Sequence, residues 1–240
     1  MEEILEIFEN ETETLIELES ALDSGLLNIN IQDNLGFSLL HHAVDFGKLG
    51  ISKFLFKKKI DLNLKQQHGE TALTRATKAG KYEFVKLLML NGADPNIYDN
   101  NDDSPLMWAS YNDYLNIVIF LIENGADPYH RYRNGCDAIM WASRQGSINS
   151  FTYLLQFLKD INHKDTKGRT IIEMSARKSI DDLLINWLIE SKLYLIIAFN
   201  KFKSPLKDYN LIQEIYPYFY CYDDSICLPS QFNLFKIIDG

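Results

Sequence analysis

At 240 residues and 27.8 kDa, with 46% apolar residues, the chain can bury one large core or two small ones, which excludes a disordered polypeptide. The net charge of −9 is local: residues 1–32 hold nine acidic groups and no basic ones, so the remaining 24 acids and 24 bases cancel. With a pI near 5.1 the chain lacks the net basic surface that phosphate neutralisation needs, and no nucleic-acid partner is expected.

Residues 1–32 read as a degenerate, acidic N-terminal capping unit with helices over Glu2 to Glu9 and about Thr12 to Ser24, their Glu-rich faces turned to solvent. From Asp33 the chain divides every 33 residues without insertion or deletion, into units 33–65, 66–98, 99–131, 132–164 and 165–197. The fourth positions are Gly36, Gly69, Asp102, Gly135 and Gly168, where a β-turn calls for positive φ. The sixth positions, Ser38, Thr71, Ser104, Asp137 and Thr170, are short oxygen-bearing side chains suited to cap a helix. A short apolar helix follows each of them, as in Pro105-Leu106-Met107-Trp108-Ala109, with a small residue at the eleventh position that lets neighbouring helices approach. After a turn at Gly47, Gly80, Asp113 or Gly146, a second helix carries apolar residues at helical spacing, as in Phe84, Val85, Leu87 and Leu88. The sequences Asn91-Gly92-Ala93-Asp94-Pro95-Asn96 and Asn124-Gly125-Ala126-Asp127-Pro128 end two of these helices. Residues 198–240 break the phase and hold ten of the chain's 30 aromatics; they read as a C-terminal cap of two or three short helices, one starting at Ser204-Pro205.

The chain resembles the ankyrin-repeat family, on the D-x-x-G-x-T-P-L-H-x-A and G-A-D-x-N patterns that Asp103-Ser104-Pro105-Leu106-Met107-Trp108-Ala109 and Asn91-Gly92-Ala93-Asp94-Pro95-Asn96 match most closely. The resemblance covers residues 33 to about 190 and implies an all-α solenoid of helix-turn-helix units with short β-hairpin loops, closed by N- and C-terminal capping helices. Units one and five depart from it, with Lys59-Ile60-Asp61 in place of G-A-D and with Ser175 and Ser179 where Ala and Gly are expected.

Enzymatic chemistry lacks its usual starting points. There is no Gly-rich phosphate loop, H-E-x-x-H helix, G-x-S-x-G elbow or kinase signature, so no catalytic residue, metal or cofactor is expected. Cys136, Cys221 and Cys227 have neither CxxC spacing nor a His pair, which suits a reducing compartment. Apolar runs such as Tyr194 to Phe199 fall far short of the roughly 20 residues of a membrane helix. The Met-Glu-Glu start has no basic signal region, so a cytoplasmic, monomeric protein is expected. The many Ile, Asn and Lys residues suit an AT-rich genome, and a bacterial source would make it similar to effectors delivered to a host cytosol. His41 stands at the His of T-P-L-H, where the resemblance implies a bond to the neighbouring turn.

In the family the binding face uses positions 33, 2, 3, 5, 10, 13 and 14 of each unit. Carried onto this sequence, these positions include Phe37, His42 and Asp45 in unit one and Glu70, Arg75 and Lys78 in unit two, and the partner-binding residues chosen among them are Tyr98, Asn101, Asp103, Trp108 and Tyr111, then Arg131, Arg133, Cys136, Trp141 and Arg144, then Arg169 and Arg177. Trp108 and Trp141 are equivalent residues, expected to form a ladder with a spacing of about 10 Å, set by the distance between packed helices. Cys136, at a hairpin position, is expected to be exposed, and the basic run of units four and five points to another protein or an acidic peptide as ligand. The function expected is a non-enzymatic protein-interaction scaffold. The alternative is a substrate adaptor that docks a ubiquitin-ligase component through its C-terminal segment.

Overall fold

The computed structural model describes residues 11–131, 133–160 and 163–175, together with Ile180, Leu183 and the strand residues 219–222 and 226–229. The chain divides into two compact units, Met1–Leu183 and Leu184–Gly240.

The first compact unit begins with α1 (Glu11–Asp23), followed by paired helices α2 (Leu39–Asp45) and α3 (Leu49–Lys57), α4 (Ala72–Lys78) and α5 (Tyr82–Leu90), α6 (Pro105–Tyr111) and α7 (Leu115–Glu123). Then come α8 (Ala138–Gln145), α9 (Ile148–Leu154) running into a 3-10 turn at Leu155–Phe157, and α10 (Ile171–Met174). The helix expected over Glu2 to Glu9 lies outside the described residues. Each sixth-position residue caps its helix: the side chains of Ser38, Thr71, Ser104, Asp137 and Thr170 accept from the backbone N–H three residues on. At the fourth position Asp102 adopts φ 68°, beside 80° at Gly36 and Gly69, so the 33-residue turn geometry survives the loss of glycine. Glycine is needed for a second reason at Gly69, where a Cβ would come within 2.6 Å of the Asn100 backbone nitrogen. That close approach allows the turns of successive units to bond, Gln67 N–H to the Leu35 carbonyl and Asn100 N–H to the His68 carbonyl, each at 2.9 Å.

The inner helices α2, α4, α6, α8 and α10 contact one another in sequence, and so do the outer helices α5, α7 and α9. Ala43, Ala76, Ala109 and Ala142, at the eleventh position, are fully buried, and a larger side chain there would hold adjacent helices apart. Leu40, Leu73 and Leu106 fill the space beneath them, with Ile51, Leu55, Leu88, Leu121 and Phe151 contributed by the outer helices. Each buried leucine contributes about 2 kcal/mol. Between units the polar groups are also matched. Asn30, Asn63 and Asn96 accept from the backbone N–H groups of Asp61, Asp94 and Asp127, which locks consecutive units in register. Buried His41 donates from Nε2 to the Glu70 carbonyl at 3.0 Å and receives the Ser38 hydroxyl at Nδ1, so its ring is neutral and structural. Burial and the nearby Arg75 hold its pKa below the ordinary histidine value. On the acidic cap, Lys58 ties Asp23 at 2.8 Å to the first full repeat.

In the second compact unit, helices were expected, but β1 (Phe219–Tyr222) and β2 (Ile226–Pro229) pair antiparallel, with Cys221 opposite Cys227. The correction has a local cause: Phe-Tyr-Cys-Tyr and Ile-Cys-Leu are rich in aromatic and β-branched residues, and Asp223-Asp224-Ser225 between them is turn-forming. The helix expected at Ser204-Pro205, and with it the adaptor reading, lies outside the described residues.

Candidate functional site

Three positions of the first four units build one face of the inner helices: the fifth, in the turn, and the tenth and thirteenth, one helical turn apart. Their register is the same at the first three junctions. Residue 10 of one unit meets residue 13 of the unit before it: Arg75 forms a bidentate pair with Asp45, Trp108 receives Lys78, and Trp141 meets Tyr111. Residue 10 also meets residue 5 of the preceding unit, as Arg75 lies 4.8 Å above the Phe37 ring and Met174 Sδ lies 3.9 Å from Cys136 Sγ. Within a unit, residue 5 meets residues 10 and 13: Glu70 accepts from Arg75 at 3.0 Å and from Lys78. One geometry therefore carries an ion pair, a cation on an indole and an aromatic contact in turn.

At the second unit the face is closed on itself. Buried Glu70 accepts from Gln66, Arg75 and Lys78. Burial alone would raise its pKa, but the Lys78 hydrogen bond and the other donors hold it below the usual carboxylate range. Lys78 Nζ sits 4.0 Å above the ring of Trp108, within range of a cation–π contact.

The third and fourth units differ. Trp108, Tyr111 and Trp141, all half-buried, form a triad with centroid separations of 5.6 Å between the indoles, 6.1 Å for Trp108 to Tyr111 and 5.5 Å for Tyr111 to Trp141. The three contacts are edge-to-face, which corrects the expected open ladder: helices roughly 10 Å apart leave rings of this size room to lean together and meet edge to face. Trp108 Nε1 is buried with no hydrogen-bond partner among the described residues. Asp103 is 3% exposed rather than offered on the surface, and its Oδ1 has no partner among the described residues. Burial, then the Asp99 charge, pushes its pKa up to about 7, with Lys78 countering in part.

The expected exposure of Cys136 is also corrected. Its side chain is 1% exposed, turned inward against Met174, and burial, with Asp165 and Asp137, raises its pKa to about 11, so the thiol is protonated and unavailable to a partner. Arg133 is exposed but paired with Asp102, and Arg169 is fastened to Asp165 through Nε at 2.9 Å and a terminal nitrogen at 2.7 Å. Arg131, Arg144, Lys164 and Lys167 are exposed basic groups, with Asn101 also exposed near the turn. Tyr98 is half-buried and stacks on His130 with centroids 3.5 Å apart. Arg177 lies outside the described residues. A separate cleft of about 340 Å³ lies between Tyr129, Arg131, Asp137, Phe157 and His163. Among the described residues no group of three or more His, Cys, Asp or Glu is placed to hold a metal ion, and no helix is long and apolar enough to cross a membrane.

Phe37, Glu70, Arg75 and Lys78 stand at the family's binding positions in the first two units but are not among the residues expected to grip the partner. Setting positions 5, 10 and 13 of the first four units side by side shows how they vary: Phe-His-Asp, Glu-Arg-Lys, Asp-Trp-Tyr and Cys-Trp-Arg. The search of curated proteins returned no significant match. A family model described as ankyrin repeats, three copies, matches residues 10–99, 59–132 and 106–195. With that match across most of its length, the chain belongs to the ankyrin-repeat family.

Proposed function

We propose that the chain is a non-enzymatic binding module that holds a partner protein against the inner-helix face of units three to five. Ankyrin repeats generally serve as protein–protein interaction modules. The observation that carries the reading to this face is the Trp108–Tyr111–Trp141 triad, since half-buried Trp and Tyr side by side are the residues most enriched at binding hot spots. Around it Arg131, Arg144, Lys164 and Lys167 supply exposed positive charge, which favours a partner segment rich in Asp and Glu.

The test is quantitative affinity purification with the wild-type chain and with Trp141→Ala and Arg144→Glu variants, each checked for folding by circular dichroism. Lys86→Glu, on the exposed side of α5, is the control. Partners lost with both groove variants and retained by the control support the reading. Partners retained by folded groove variants move the binding surface elsewhere.

A further inference from the structure

The junction of units two and three contains a complete site for an ammonium group. Lys78, at position 13, bonds Glu70 at position 5 of its own unit and covers Trp108 at position 10 of the next. One unit later two of these three parts recur, a carboxylate at position 5 (Asp103) and an indole at position 10 of the following unit (Trp141). Position 13 is Tyr111, which fills the place of the lysine stem with an aromatic ring 5.5 Å from Trp141 and brings no cation.

The register fixes what surrounds Asp103. Contacts between position 5 and position 10 of the next unit occur on both sides of it, at Phe37–Arg75 and Cys136–Met174, and the equivalent pair is Asp103–Trp141. Contacts of position 5 with positions 10 and 13 of its own unit, made by Glu70 with Arg75 and Lys78, correspond to Asp103 with Trp108 and Tyr111. By this register Asp103, 97% buried, is placed towards Trp108, Tyr111 and Trp141, with one oxygen lacking a hydrogen-bond partner among the described residues; the nearby cation, Lys78, is already bonded to Glu70 and covers Trp108. A buried carboxylate among aromatic faces is costly until a cation reaches it, and aromatic faces themselves attract cations.

We propose that the junction of units three and four is a recognition pocket for a lysine side chain of the partner protein, whose ammonium meets Asp103 and whose stem lies among Trp108, Tyr111 and Trp141. This rests on the reading of the same face as the partner surface and names the residue that it grips. Lysine fits better than arginine on two counts. Of the two cations bonded to Glu70, the one that also covers the indole of the next unit is an ammonium, Lys78, and a single unpartnered carboxylate oxygen suits a point charge rather than the two-pronged guanidinium fork. The exposed Arg131, at the end of unit three, and Arg144 of unit four lie outside the pocket, so the segment that fits is a lysine flanked by acidic residues.

The experiment is an NMR titration of the full chain, nitrogen-15 labelled, at pH 8, following the indole N–H signals of Trp108 and Trp141. The probes are the capped tripeptide Gly-Lys-Gly and its norleucine analogue, which keeps the stem and removes the charge. The lysine peptide is expected to shift both signals saturably in the millimolar range, and the norleucine peptide to bind about tenfold more weakly or worse. Asp103→Asn, nearly isosteric, should reduce lysine binding to the norleucine level while the spectrum stays dispersed. Tyr111→Lys, which supplies the cation from within the chain, should abolish it. Equal binding of the two peptides, no shift at all, or lysine binding unaffected by both folded variants overturns the pocket. Loss of partners by the groove variants together with no lysine response leaves the partner surface standing and removes the pocket; a lysine response with partners retained does the reverse.

Discussion

The junctions between units two and three and between units three and four share a backbone, a register and a set of facing positions, yet one is internally neutralised and the other is not. At the first, Glu70 is matched by Gln66, Arg75 and Lys78, and the positive charge that remains lies on the Trp108 ring. At the second, Asp103 keeps an unpartnered oxygen among the described residues and the cations of positions 10 and 13 have become Trp108 and Tyr111. In a repeat protein each unit is stabilised mainly by its neighbours. A junction that leaves a carboxylate uncompensated gives up stability at that point, and the location of such a junction marks where an outside group can contribute.

The comparison can be broken first at the closed junction. Glu70→Ala leaves Arg75 and Lys78 facing each other without their shared acceptor, and the chain is expected to lose about 3 kcal/mol in chemical denaturation. Partial exposure of both cations keeps the loss at the lower end of that range. A loss as small as that of an ordinary surface substitution would show that the network contributes little.

The open junction should respond in the opposite direction. Because the folded-state pKa of Asp103 is raised from 3.8 to about 7, the folded chain holds a proton that the unfolded chain has released between those values. Its contribution therefore falls as pH rises from about 4 to about 7 and is level above that. The groups that set this are Asp99, Asp102 and Lys78 around the carboxyl. Asp103→Asn should accordingly stabilise the free chain on the order of 2 kcal/mol at pH 8 and change little at pH 4. Thermal melts across that range check the prediction, and destabilisation by the variant at pH 8 would contradict it.

A smaller effect tests the backbone rather than the charges. Lys59 takes φ 61° where later units have Gly92 and Gly125 at 95°. Lys59→Gly should stabilise by about 1 kcal/mol by removing Cβ strain, a gain read in the same denaturation experiment. Asp113 at φ 57° should not show it, because its carboxylate accepts from Asn149 Nδ2 and the Ser150 N–H and so links two units.

The fold was legible because its determinants are local and repeated. Five capping side chains, a positive-φ fourth position and a buried alanine at the eleventh recur at constant spacing, and each acts within a few residues of itself. The charges of the site were less legible. Arg133 and Arg169 look available in the sequence, but Asp102 and Asp165 lie within reach once the turns form, one of them in the preceding unit. Cys136 was misplaced because its own turn says nothing of Met174, which lies 38 residues on and draws the thiol inward. The tryptophans were found by position, whereas their edge-to-face contact depends on side-chain rotamers that spacing does not encode. At Phe219–Tyr222 there was no repeat to guide the reading, and local strand propensity decided the outcome.

The central claim is that the third unit lacks a cation which the second unit supplies for itself. A double-mutant cycle on stability tests it most directly, with Tyr111→Lys measured by denaturation at pH 8 in the wild-type chain and in Asp103→Asn. The account predicts a coupling of about 1 kcal/mol or more, the introduced lysine being favourable only while Asp103 can carry its charge. The same change in both backgrounds would show that position 13 does not face Asp103, and would contradict the account.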